Sequence, residues 1–211
     1  MQSLIRGGTR WRRFAVVMVP SVAATAAIGV AMAQGALAAS FSVSGQSFKV
    51  TADRLVGHDF VQYGSLAEGH DLKGNKTLHP VAVSGFGKAT ITNMCQSVVT
   101  PDVPIFGAVS LELRAGTDKK HPVEATNIYL DVAQLDADAE FKNIDIGVAA
   151  GDKSNKTGIQ PGTKANPYGF AQRADLAILT DVKQTAWATT AGTFKLSNLS
   201  MKLHKGVKEC Y

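Results

Sequence analysis

The chain has 211 residues and little of what usually carries chemistry: two cysteines, two tryptophans, five histidines and 7% aromatic residues overall. Its two cysteines, Cys95 and Cys210, stand far apart, so there is no CxxC redox motif and no cysteine-rich zinc site. No Gly-x-Ser-x-Gly elbow and no His-Glu-x-x-His motif occurs. The first 39 residues contain no acid, only the bases Arg6, Arg10, Arg12 and Arg13, and these carry most of the formal charge of +5. The rest of the chain holds 18 basic against 17 acidic side chains. A nearly neutral body is not a polycation built to neutralise phosphates, which excludes nucleic-acid binding. With 45% apolar residues it is not a disordered chain either. Composition alone points to a globular domain and names no reaction.

The start of the chain has the build of an export signal: an arginine-rich segment, an uncharged apolar run from Phe14, and small residues at its end. Ala36-Leu37-Ala38 and Leu37-Ala38-Ala39 place cleavage after Ala38 or Ala39, so residues 1–38 are expected to be a signal peptide and residues 39–211 one exported domain. The alternative is a retained anchor, since Phe14 to Ala39 is long enough to cross a bilayer. Pro20, Gly29, Gly35 and the many alanines weigh against it. In either case the arginines hold the start in the cytoplasm and the body is exported. Arg12-Arg13 is followed directly by Phe14, which departs from the twin-arginine pattern, and no cysteine stands ready for lipidation. In an exported chain an even pair of cysteines reads as a disulfide, Cys95 to Cys210.

Beyond the leader, strand-like alternation of Thr, Val, Ile and Phe dominates: Phe41 to Asp53, Val81 to Val99, Val109 to Arg114, Ile128 to Leu135, Phe141 to Val148 and Thr193 to Leu203. Polar, turn-rich connections are expected at Gly64 to Pro80, Ala115 to Pro122 and Ala149 to Gly169, the last long enough to be a mobile surface loop. Phe170 to Ala186 fits either a helix or a strand by periodicity. The fold class expected is mainly β, a single domain with short repeated strand motifs, sandwich-like or solenoid-like packing and at most one short helix.

The repeat favours strand in the ambiguous segment. Ala89 to Val98 aligns without gaps on Ala177 to Ala186, and Tyr129 to Leu135 is a shorter third match. Each carries Asn or Asp, then Met or Val, one residue, then Gln: Asn93, Asp131 and Asp181 lead to Gln96, Gln134 and Gln184. On a strand, Met94, Val132 and Val182 share a face with those glutamines. That face is then either a buried hydrogen-bonded ladder or partly wet. A weaker echo links Phe48-Lys49-Val50-Thr51 to Phe194-Lys195-Leu196-Ser197.

Chemistry is hard to find. The nearest approach to a serine elbow, Ala82-Val83-Ser84-Gly85-Phe86, lacks both glycines and reads as strand. His79, His121 and His204 read as surface residues. His58-Asp59 and His70-Asp71, on either side of Tyr63, offer a base beside an orienting carboxylate. Asp136-Ala137-Asp138 and Asp152-Lys153-Ser154-Asn155 offer oxygens at close spacing without the pattern of a calcium loop. Trp187, set among Ala and Thr, is either a core anchor or a contact at the mouth of an apolar groove. Catalytic residues are thus unknown, and no cofactor or metal is expected.

The leader Arg10 to Pro20, the segment Ala39 to Val50 and the ending Gln184 to Phe194 with Lys208-Glu209-Cys210-Tyr211 resemble a family of exported actinobacterial proteins of unknown function. Its members are often labelled cholesterol esterase. The resemblance implies a secreted or envelope protein and carries no catalytic motif onto this chain. The reading is an exported, disulfide-stapled β protein that binds a lipid or an envelope protein without catalysis and meets a membrane only through an uncleaved leader. The alternatives are a sterol or lipid ester hydrolase with an unconventional serine site, and a structural surface component.

Overall fold

In an ideal strand every second side chain points the same way, and the four longest strands of this protein break that rule at regular intervals. The computed structural model describes Met18 and residues 43–211; the expected leader, 1–38, otherwise lies outside the described residues. Eight strands follow in order: β1 Phe48–His70, β2 Lys76–Thr92, β3 Met94–Val103, β4 Gly107–Ala115, β5 Val123–Ala149, β6 Phe170–Thr190, β7 Thr193–Lys195 and β8 Ser200–Lys205. β1 pairs with β2 and β6, and β5 pairs with the same two, all antiparallel, so these four strands close a ring. The protein is mainly β, a single domain with a small closed barrel and extra strands on the outside. β3, β4 and β8 extend from the start of β1, and β7 pairs with the start of β5. Sandwich-like or solenoid-like packing gives way to closure of the sheet on itself.

So narrow a barrel requires strongly bent strands. The positions that face its interior run Val50, Ala52, Leu55, Gly57, Phe60 along β1 and Phe86, Ala89, Ile91, Met94 through β2 into β3, with the Phe86 ring occupying the place a Cβ on Gly57 would take. On β6 they run Ala174, Ala177, Leu179, Val182. Steps of two alternate with steps of three. A step of three needs a local twist. A residue in the left-handed region supplies it in 57–60, 91–94 and 179–182, whereas 52–55, 86–89 and 174–177 hold none and instead lie opposite such a residue on a neighbouring strand. Asn93, Asn127, Asp181, Asp59 and Asn143 have φ of 52°, 47°, 52°, 54° and 55°; the first four fall within such steps, Asn127 between Ala125 and Ile128 of β5, and Asn143 follows Phe141 on the same strand. Asn and Asp are the residues that enter this region at least cost after glycine.

These bends lie in two rows across the sheet. Asn93 and Asp181 stand on either side of Asp53, and Asn93 Nδ2 donates to Asp53 Oδ1 at 3.0 Å. In the second row Asn127, Asp59 and Asn143 alternate with Gly87 and Asp175, and Asn143 Nδ2 donates to Asp175 Oδ2 at 2.8 Å. A Cβ on Gly87 would come within 3.2 Å of Asp59 Oδ2.

The sequence repeat now acquires a geometric meaning. Gly57 faces Ala89 on one side and Ala177 on the other; Leu55 faces Ile91 and Leu179; Val50 faces Gln96 and Gln184; Lys49 faces Ser97 and Thr185. The two longer matches therefore flank β1 in the same register. The third match pairs with β2 and β6 instead, and Gln134 turns outward to donate to Asp136. None of the three is a separate stacked unit.

Boundaries differ where regular structure runs through polar sequence. Gly64 to Pro80 is mostly strand, with β1 and β2 joined by a turn at 71–75 that the Asp71 carboxylate closes by accepting from the backbones of Lys73 and Asn75. Ile128 to Leu135 and Phe141 to Val148 are parts of one strand, β5. Val81 to Val99 breaks at Asn93, and Phe170 to Ala186 is strand. The other two connections fall between strands as expected.

The Cys95–Cys210 disulfide is present, with Cα atoms 6.0 Å apart. Around it one row of the sheet holds the last residues. Ser97 Oγ accepts from the Cys210 backbone at 3.0 Å, Lys49 Nζ meets Glu209 Oε2 at 2.9 Å, and Thr185 Oγ1 lies 3.1 Å from the Tyr211 hydroxyl. Replacing Cys210 with Ser lengthens the free chain in the unfolded state and is expected to lower stability by about 4 kcal/mol in urea denaturation. The bends give a second expectation from the same assay. Asp181→Gly stays within about 0.5 kcal/mol of the parent, whereas Asp181→Val, with a branched Cβ in the left-handed region, loses about 1–2 kcal/mol.

Candidate functional site

The barrel interior is not packed shut. A cavity of about 140 Å³ is lined from all four ring strands, chiefly by Leu55, Phe60, Phe86, Leu130, Phe141, Leu179 and Val182. A smaller space of about 30 Å³ shares Leu55, Leu130, Val182 and Gln184 with it and adds Met94 and Gln96. Thus Met94, Val182 and two of the three glutamines do share one face. Phe60 stands between Phe86 and Phe141, with ring centroids 5.3 and 5.2 Å away.

The polar groups of the larger cavity are Gln62, Ser84 and Gln184. Gln172 Nε2 donates to Gln62 Oε1 at 2.5 Å, and Gln62 Nε2 donates to Ser84 Oγ at 2.9 Å. This chain of amides gives the apolar space one polar wall. On another side it is bounded by Leu135, Ala137, Ala139 and Phe141 of β5, beyond the last pair that joins β5 to β2, Ala82↔Val132. Ala139 is exposed there. A space of this size matches an apolar cavity of about 150 Å³ that takes up benzene. It has room for one ring or the end of an aliphatic chain, not for four fused rings.

Ser84 lies in the middle of β2, 4% exposed, and no histidine lines its cavity. Trp187 is elsewhere. Asp131 pairs with Ala188 and Val132 with Ala186, so Trp187 is the extra residue of a bulge on β6. Its ring stacks on His79 at 3.6 Å and packs with Val61, Tyr63, Val83 and Tyr129, a cluster separate from the one that lines the barrel cavity.

The segment 150–169 lies against that second cluster. Tyr129 donates its hydroxyl to the Thr157 carbonyl at 2.8 Å, the Gln160 backbone donates to the Tyr63 hydroxyl at 2.7 Å, and Asn155 Nδ2 donates to the carbonyls of Ala149 and Ala150. Burial pushes both phenols up, Tyr63 to about 12. The expected mobile loop is a cover fixed by two tyrosines. Beneath it is Asp131, 6% exposed, whose Oδ1 has no hydrogen-bond partner. Burial raises its carboxyl pKa to about 6.

Several of the remaining candidates are engaged structurally. Asp59 pairs with Lys156 at 3.0 Å, and Asp71 closes the β1–β2 turn. His121 pairs with Asp118 at 2.7 Å, and His204 lies 2.9 Å from Glu112. Asp152 accepts from the Ser154 backbone within a tight turn. No group of three or more His, Cys, Asp or Glu side chains suited to a metal ion occurs among the described residues. Sequence reasoning singled out Asp131 only as part of the repeat. The signal of its burial was present, a lone acid inside the otherwise apolar run Ile128 to Val132.

Fold and site together define a small closed β-barrel protein with an apolar interior cavity. The chain belongs to DUF6230, a family of unknown function, whose model matches residues 44–211. No curated protein and no solved structure matches it.

Ionising Asp131 costs more in the folded protein than in the unfolded chain, so its contribution favours folding at low pH and is lost as pH rises from about 4 to about 6. Asp131→Asn is expected to remove that slope. At pH 7 the variant should exceed the parent in stability by about 2 kcal/mol, and the gap should close at pH 4, measured by urea denaturation across pH.

Proposed function

We propose that this is an exported, non-catalytic binding protein, at or outside the actinobacterial cell envelope, whose barrel takes the apolar end of a small lipid. The observation that carries the reading is the interior cavity: aliphatic and aromatic on most sides, polar at Gln62, Ser84 and Gln184. Such a space favours an amphiphile with its tail among Leu55, Leu179 and Phe141 and a hydroxyl or carbonyl against the amides. Export is supported by the acid-free leader and by a disulfide, which persists in oxidising compartments. The cholesterol esterase label has less support. A serine nucleophile needs an adjacent base, Ser84 has a glutamine amide there instead, and the cavity is too small for a sterol nucleus.

Titration with hexan-1-ol, followed by NMR of the aromatic and methyl signals, tests the reading. Saturable shifts are expected at Phe60, Phe141 and Leu179. Ala139→Trp, which fills the exposed side of the cavity, should weaken the response about tenfold. Shifts that never saturate would count against the proposal. So would turnover of a lipid ester that stops on a Ser84→Ala change, or assembly of the pure protein into ordered arrays.

A further inference from the structure

A second space lies on the other side of the barrel wall. Leu130 and Val132 face the barrel interior, so Asp131 between them faces outward, beneath the segment 150–169. There it lines a cavity of about 100 Å³ with Ser65, Glu68, Gln160 and Lys164. Three buried oxygens in this lining have no hydrogen-bond partner: Asp131 Oδ1, Gln160 Oε1 and Ser65 Oγ. Asp131 and Gln160 are only 6% and 5% exposed.

We propose that this cavity is a binding site for a small primary ammonium group. A primary ammonium carries three N–H donors, and the cavity offers three oxygens that lack a donor. Gln160 is held in place by its neighbours, since its backbone donates to Tyr63 and its Nε2 donates to Thr190 Oγ1 at 3.3 Å. The carbonyl oxygen is the part of that side chain left over. Charge points the same way. Glu68 and Lys164 pair with each other at 2.5 Å, which leaves the Asp131 carboxylate as the one unbalanced charge of the lining. A bound cation neutralises it, and an anion would add to it. The two phenols nearby, Tyr63 and Tyr129, add no charge at neutral pH, since a phenol ordinarily ionises only near pH 10 and burial raises both further.

Leaving a carboxylate buried and unpaired is costly, and neutralising it with a ligand recovers that cost on binding. The occupancy should therefore follow the ionisation of Asp131, strong above about pH 6 and weak below it. The volume limits the ligand to an ethylammonium-sized molecule or to the amine end of something larger.

The test is titration of the purified protein with ethylammonium chloride at pH 7.5, read from the Gln160 side-chain amide and the Ser65 backbone amide by ¹H–¹⁵N NMR. Saturable shifts are expected, at least about tenfold weaker at pH 5, where ethylammonium is still protonated, and in Asp131→Asn. Ser65→Ala should weaken binding by a smaller factor. Tetramethylammonium, which has the charge but no N–H donor, should not compete. Shifts equal to those from sodium chloride, or unchanged affinity in Asp131→Asn, would overturn the proposal and leave the cavity to solvent. Because Asp131 faces away from the barrel interior, failure here leaves the lipid reading standing.

Discussion

Everything in this protein depends on strands that change phase. A ring of four long strands closes only if each one bends sharply, and here the bending is concentrated where Asn or Asp takes the left-handed conformation. Because Asp53, Asp175 and Gly87 stand opposite these residues, each bend is matched across its neighbours and the register survives it. The side-chain amides of Asn93 and Asn143 then tie one strand to the next. A strictly alternating strand would send Leu55 or Phe60 to the wrong side and split the apolar lining.

Ordinary alternation between the bends gives one wall two working faces. Leu130 and Val132 belong to an apolar interior, and Asp131 between them lies under a cover of segment 150–169. On that outer side two tyrosines spend their hydroxyls on the cover rather than on the acid. A buried carboxylate kept without a partner works against folding. Its presence beside two other unpaired oxygens is easier to understand as a feature retained for a ligand than as a contribution to stability.

The sequence revealed the β class, the disulfide and the limits of the long connection at 150–169, because alternation, cysteine number and turn residues are local signals. It also revealed the repeat, since Ala89 to Val98 and Ala177 to Ala186 meet the same strand. What it concealed is mostly a matter of closure. Nothing local distinguishes a strand that ends in a sandwich edge from one that returns to pair with β1. Gly64 to Pro80 looked like a loop because its glycines and charges suit an exposed ribbon as well as a turn. The interior phenylalanines 60, 86 and 141 come from three separate strands, and only the register brings them together. Trp187 drew attention by its size, yet it sits at a bulge on β6 and packs in the outer cluster.

The pairing of Phe48 with Ala186 closes the ring between segments far apart in the chain. Until β6 has been added, β1, β2 and β5 form an open sheet whose outer edges are exposed to other chains. Contacts of such long range repay the entropy of loop closure late, which makes folding slow. The rate at which this protein reaches its native state, and its tendency to associate before it does, should be governed by how quickly one distant strand finds its place.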